Sequence, residues 1–435
     1  MSAAASSSQC PRIRHLLTGT FNSPALHLLR FDSLTRALVL LAPLPARGPH
    51  QFLCVGRSAA APPHAVDRVY ATTWAAAPEI SSWALEWPLA GGGGDPHVRL
   101  LNAVPITATS SYVSVQPPAF HSLTAPGFGV APAAGASRVL YSAGGPTGES
   151  HTLRADGSIG ERIEEIVFLK GGPSALRVAD KTRKALRYGS HSIDTGVNGH
   201  TYVADLGRDA ILVYARDNAS GKLELLHEVP TPRKGDGPRH VVPSADGRWV
   251  YSVTEHTSYV DAFEVMPDGR LEYMQTVDIL PEEHEDDREQ YRGDTVRISP
   301  SGTSILATTR GKTAGVRGFV RAWALHPNSV VDDPNATVGG PIGALKATFE
   351  TPSSGGKANA IEWAPRYPLM ASPEEQGGVD GSGEHDLAVL TDDEQGHVLV
   401  LSWDGSDLKE LARVTLPGTG DDGRPEGASH AVWLS

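Results

Sequence analysis

Thr201-Tyr-Val-Ala-Asp205, Ala210-Ile-Leu-Val-Tyr-Ala215 and Lys222-Leu-Glu-Leu-Leu226 are three short apolar runs, and the turn Asn218-Ala-Ser-Gly221 separates the last two. Runs of this length, rich in β-branched and aromatic residues and punctuated by Asn, Ser and Gly, predict three antiparallel strands joined by tight turns. The order returns about 50 residues on as Trp249-Val-Tyr-Ser-Val253, Tyr259-Val-Asp-Ala-Phe-Glu-Val265 and Leu271-Glu-Tyr-Met274, and again as Ser304-Ile-Leu-Ala-Thr308, Gly318 to Leu325 and Leu345 to Phe349. Two of these units follow a fourth strand that ends in a turn, His240 to Gly247 and Val296 to Gly302. Four strands per repeat at this period predict propeller blades.

Working outward, weaker copies start near Arg68, Arg138 and His385, and an opening unit runs from His15 to about Pro49. The reading is all-β: a seven-bladed β-propeller of four-stranded antiparallel blades, one domain over 15–435, behind a disordered tail ending at Arg14. Seven blades need about 350 residues, and the rest fits insertions at Ala90 to Pro96, Pro281 to Gln290 and Tyr367 to Glu384. A ring must close on its own edges, so His15-Leu-Leu-Thr-Gly19 and Ala431-Val-Trp-Leu434 are expected to share one blade.

Composition supports a turn-rich, packed chain. Gly and Pro number 46 and 33 of 435 residues, and 40% of the chain is apolar, too much for intrinsic disorder. There is no apolar run of about 18 residues, so no spanning helix is expected. A net charge of -12 argues against a nucleic-acid or anionic-membrane partner held by a global field, and an anionic ligand needs a local basic pocket. Cys10 and Cys54 form no framework, which with the absence of a secretory leader predicts a cytoplasmic protein.

Familiar catalytic motifs fail. Gly311-Lys312-Thr313 ends like a phosphate loop, but position 306 is Leu where glycine is required. There is no G-x-S-x-G, no H-E-x-x-H and no dinucleotide fingerprint at Gly91 to Gly94. The charged run Glu282 to Glu289 reads as a solvated loop rather than a metal site. No motif implies a cofactor or metal, and oligomeric state is not legible.

One constellation survives. Arg239 opens the fifth blade, His191 holds the corresponding place one blade earlier, Glu255 follows the strand ending at Val253, and Arg310 follows its equivalent one blade later. In a propeller such positions converge on the central channel. Two guanidinium forks, an acid-base group and a carboxylate form a receptor for a small anionic polycarboxylate or a phosphate.

These residues also resemble a known family, the fungal 3-carboxy-cis,cis-muconate lactonizing enzymes, themselves related to propeller-type 6-phosphogluconolactonases. The likeness is carried by His15-Leu-Leu-Thr-Gly-Thr20, Tyr202-Val-Ala-Asp-Leu206, Pro238-Arg239 with Glu255 sixteen residues on, Tyr291-Arg292-x-Asp294, Arg310, Gly355 to Ala360 and Thr391 to Gly396. It implies a metal-free cycloisomerase of aromatic catabolism that closes 3-carboxy-cis,cis-muconate to a lactone, with His191 and Glu255 catalytic and Arg239 and Arg310 binding substrate. Between the two proton donors, Glu255 needs its pKa raised from about 4.3 while arginines push it down, whereas His191 starts near 6.5 and needs little adjustment. A phosphosugar lactone hydrolase on the same scaffold and a non-catalytic binding platform stand as alternatives.

Overall fold

The computed structural model describes residues 13–61, 66–74, 77–88, 94–116, 138–326, 340–365, 385–418 and 423–435. They form seven sheets of four antiparallel strands each, every strand beside its neighbour in sequence except at the seam. At the seam Ala428–Trp433 is the innermost strand of the first blade and pairs with Ile13–Thr20, so both ends of the chain close one sheet as the sequence requires. The innermost strands touch in turn around the ring, from that of the first blade through to that of the seventh and back.

One boundary differs from expectation, and the second insertion stays outside the blades. Ile13 and Arg14, read as tail, pair with Asp32 and Phe31 and lengthen the second strand of the first blade, where Ile13 shares a face with Leu17. Residues 281–290 form two short 3-10 turns, Glu282–His284 and Arg288–Gln290, and Arg288 pairs with Asp278 while its guanidinium lies 4.3 Å from the Tyr259 ring centroid. Residues 1–12 of the tail, 90–93 of the glycine run and 367–384 of the third insertion lie outside the described residues.

The core lies between blades, where apolar faces of neighbouring sheets meet, as in the cluster of Tyr70, Ile80, Tyr141, Phe168 and Leu212. Buried phenols tie the second sheet to the third and the third to the fourth: Tyr70 Oη donates to Gly157 O at 2.9 Å and Tyr141 Oη to Gly221 O at 2.6 Å. A buried Tyr requires such a partner. The innermost strands and the loops beside them, which carry Phe21, Ala358 and Ala360, line the axial pocket.

Candidate active site

The innermost strand of the fifth blade is Pro238–Pro243 and that of the fourth is Ser190–Thr195. Both break register at their second residue: pairing skips from Pro238 to His240 and from Ser190 to Ser192. A bulge re-aims the residue it leaves unpaired. Arg239 and His191 are those residues, and both line one axial pocket. The sixth blade's inner strand, Tyr291–Ile298, shifts register between Gly293 and Val296, which puts Asp294 into the same pocket.

Gly293 is essential to this placement. A Cβ there would lie 2.2 Å from the Thr254 carbonyl oxygen, and the bare glycine instead donates its N–H to Glu255 O at 3.0 Å. The close approach sets Arg292 and Asp294 either side of Glu255.

Three arginines and two carboxylates then interlock. Arg239 Nη1 donates to Asp294 O at 2.6 Å and Oδ1 at 3.1 Å, and its Nε lies 3.2 Å from Glu255 Oε2. Arg310 Nε donates to Asp294 Oδ2 at 2.9 Å, its Nη1 to Gly356 O at 3.2 Å, and its Nη2 lies 3.5 Å from Glu255 Oε1. Arg292 Nη1 donates to Glu255 Oε1 at 2.7 Å. Two negative charges therefore face three positive ones, and the cluster keeps a surplus cation. Arg292 is the accessible member, 31% exposed against 5% for Arg239.

The geometry brings Arg239, Glu255 and Arg310 into one network and sets His191 in the same pocket without a direct contact to them. Arg239 Nη1 also reaches His240 Nε2 at 3.2 Å, and the His240 ring centroid is 5.5 Å from that of His191. His191 Nδ1 and His240 Nδ1 are buried without a hydrogen-bond partner. Burial first, then the Arg239 charge, push His191 well below its ordinary value, so it stands neutral. The expectation that His191 needs little adjustment is therefore corrected: its depth costs it the proton in the free protein. Burial works to raise Glu255, but the Arg310 and Arg239 charges outweigh it and hold the carboxyl down at about 2.

Sequence reasoning missed several residues of the network and of the pocket. Arg292 and Asp294 sit inside a quoted motif without a role. Gln51, Ser111, Ser429, Phe52 and His430 also line the pocket. Phe52 stacks between Tyr112 and His430, with centroids 4.0 and 3.9 Å away. The signal was the Arg239 position itself: the same step before the inner-strand pairing is Ser429, Gln51, Ser111, His191, Arg239 and Asp294 in the first six blades. Among the described residues no His, Cys, Asp and Glu grouping could hold a metal ion.

The architecture is a seven-bladed propeller with a polar axial pocket. A profile of the family described as "Lactonase, 7-bladed beta-propeller" matches residues 136–326. Muconate cycloisomerase 1 of Cutaneotrichosporon cutaneum is 30% identical over 396 residues, which are 90% of this chain and 91% of that one. Carboxy-cis,cis-muconate cyclase of Neurospora crassa is 23% identical over 280 residues, 60% of this chain and 66% of that protein. The periplasmic gluconolactonase of Pseudomonas aeruginosa shares the fold, with a TM-score of 0.65 at 18% identity over 97% of this chain and 99% of its own. The chain belongs to the seven-bladed β-propeller lactonase family, in agreement with the resemblance carried by Arg239, Glu255 and Arg310.

Proposed function

We propose that the protein is an intramolecular lyase that lactonizes a muconate-type diene polycarboxylate, with 3-carboxy-cis,cis-muconate as its substrate. The observation that carries this reading is the surplus cation: among the described residues, Arg239, Arg292 and Arg310 share two carboxylates, Glu255 and Asp294, beside a neutral His191. A substrate carboxylate finds its counter-charge in that surplus. The names of the two relatives compared above support the same chemistry.

In the reaction one substrate carboxylate oxygen forms a bond to a diene carbon. The electron pair of that double bond moves to the carbon next to another carboxyl, which takes on negative charge, and a proton then adds to that carbon. Arg310 and Arg292 stabilise the developing charge from preorganised positions. Arg239, nearly all of whose surface is buried, holds Asp294 and Glu255 in place.

His191 supplies the proton. Its imidazole is neutral in the free protein, but a bound polyanion raises the proton affinity of a neighbouring base, so His191 charges as substrate arrives. Glu255 stays a carboxylate and orients the arginines.

The test is loss of diene absorbance with 3-carboxy-cis,cis-muconate and with cis,cis-muconate, run beside Arg310→Ala and a 6-phosphogluconolactone control. Loss with the tricarboxylate that vanishes in the variant is the expected result. Opening of the control lactone with no diene loss would make the protein a hydrolase, and inactivity on all three would leave a binding platform.

A further inference from the structure

We infer that residues 170–187 form the approach side of the axial pocket, a basic surface that gathers small carboxylate or phosphate anions at its mouth; which anion then reacts rests on the lactonizing reading above. The segment lies in the link from the outer strand of the third blade, Ile159–Val167, to the inner strand of the fourth, Ser190–Thr195. Strands alternate in direction and the pocket residues stand at the starts of inner strands, so such a link runs over the pocket's face of the ring. Two contacts bring this one to the mouth. Thr109 N donates to Lys181 O at 2.9 Å, just before the lining Ser111 in sequence. The Arg183 guanidinium lies 5.3 Å from the Trp74 ring centroid, and the Trp74 ring packs at 4.8 Å on Phe21, which lines the pocket.

The segment carries Lys170, Arg177, Lys181, Arg183, Lys184 and Arg187 against one acid, Asp180, in a chain whose net charge is -12. Lys170 pairs with Glu228 at 3.4 Å, and the other five form no ion pair among the described residues. Their exposure is built into the fold. Thr182 caps the 3-10 turn Arg183–Arg187 by accepting from Lys184 N, and Ala185 and Leu186 are buried, which leaves Arg183, Lys184 and Arg187 to solvent. The corresponding link from the fifth blade to the sixth has the opposite sign, with six acids between Glu282 and Glu289 and its Arg288 held by Asp278. The mouth thus lies between an acidic link and a basic one, and the field across it draws an anion to the side of the third and fourth blades. Surface charge of this kind raises the local concentration of an oppositely charged substrate and its association rate by about 10- to 1000-fold. Arg239, Arg292 and Arg310 are engaged by Glu255 and Asp294; the cations of 170–187 act earlier, on arrival rather than on the reacting atoms.

The test is steady-state kinetics of a double variant, Lys184→Glu with Arg187→Glu, on the diene tricarboxylate. Its control is Arg36→Glu with Lys222→Glu, the same change of charge in turns between third and fourth strands, on the opposite face of the ring. Both are run at about 10 mM and about 0.15 M salt, over which the screening length falls from about 30 Å to about 8 Å, with thermal melts to confirm the fold. The double variant is expected about tenfold below wild type in kcat/KM at the lower salt and within about threefold at the higher, with kcat within about twofold throughout. The control is expected to match wild type within about twofold. Equal kcat/KM for double variant and control at the lower salt, or a loss carried by kcat, would overturn the inference and leave the lactonizing reading standing. Wild-type opening of 6-phosphogluconolactone in place of diene loss would remove that reading alone, and the same comparison with this lactone then decides the inference: the tenfold gap supports it and no gap overturns it. Inactivity on both substrates would overturn the two together.

Discussion

Asp294 Oδ2 accepts from Arg310 Nε at 2.9 Å, while Oδ1 of the same fully buried carboxylate lies 3.1 Å from Arg239 Nη1. One carboxylate thus fixes two guanidinium groups from different blades. Asp294→Ala leaves Arg239 buried with Glu255 as its remaining counter-charge, and breaking a buried pair in this way costs about 3 kcal/mol or more. Urea unfolding is expected to show that loss, with Asp294→Asn intermediate because it keeps the shape and some hydrogen bonds.

Gly293→Ala probes position rather than charge. The added carbon meets the Thr254 carbonyl and must push the sixth blade's inner strand away from Glu255. A displacement near 1 Å at a preorganised site costs about a hundredfold in rate. The expected result is a drop of that order in kcat/KM with the far-ultraviolet circular dichroism of the fold retained.

The donor assignment has a pH signature. In the free protein His191 is pushed well down, and the polyanion raises it in the complex. Since kcat/KM reports the free enzyme and kcat the complex, kcat should hold to higher pH than kcat/KM before falling. His191→Asn is expected to lose about a thousandfold in kcat, and Glu255→Gln less. If the alkaline limbs of the two profiles coincide, or if Glu255→Gln alone abolishes turnover, His191 is not the donor.

Blade count, strand order and ring closure were legible because strands and turns repeat locally, and the strong middle copies calibrate the weak ones. The contact among Arg239, Glu255 and Arg310 was legible for the same reason, since equivalent blade positions share a height on the axis. Gln51, Ser111 and Ser429 were not, because they lie in the blades whose repeats are weakest and their register is fixed only by pairing to Ala71, Ser142 and Thr18. The depressed His191 was also out of reach: its cause is depth, which comes from the whole ring and not from neighbours in sequence.

Asp194 supplies a test of that depth on the same strand as His191. Tyr112 Oη donates to its Oδ2 at 2.6 Å, and the Arg297 guanidinium and Glu362 carboxylate act on it as well. Burial dominates and raises Asp194 from 3.8 to about 7. A folded-state value above the unfolded one means that the protonated group's contribution is complete below about pH 4 and is lost as pH rises through 7. Glu255 and Glu362, both held at about 2, have the opposite sign and contribute above about pH 4.5, losing it only in strong acid. Asp194→Asn cannot ionise, so its stability relative to the wild type should climb by at least about 2 kcal/mol between pH 4 and pH 8. Chemical denaturation at the two pH values measures the difference, and a constant gap would show that Asp194 titrates normally.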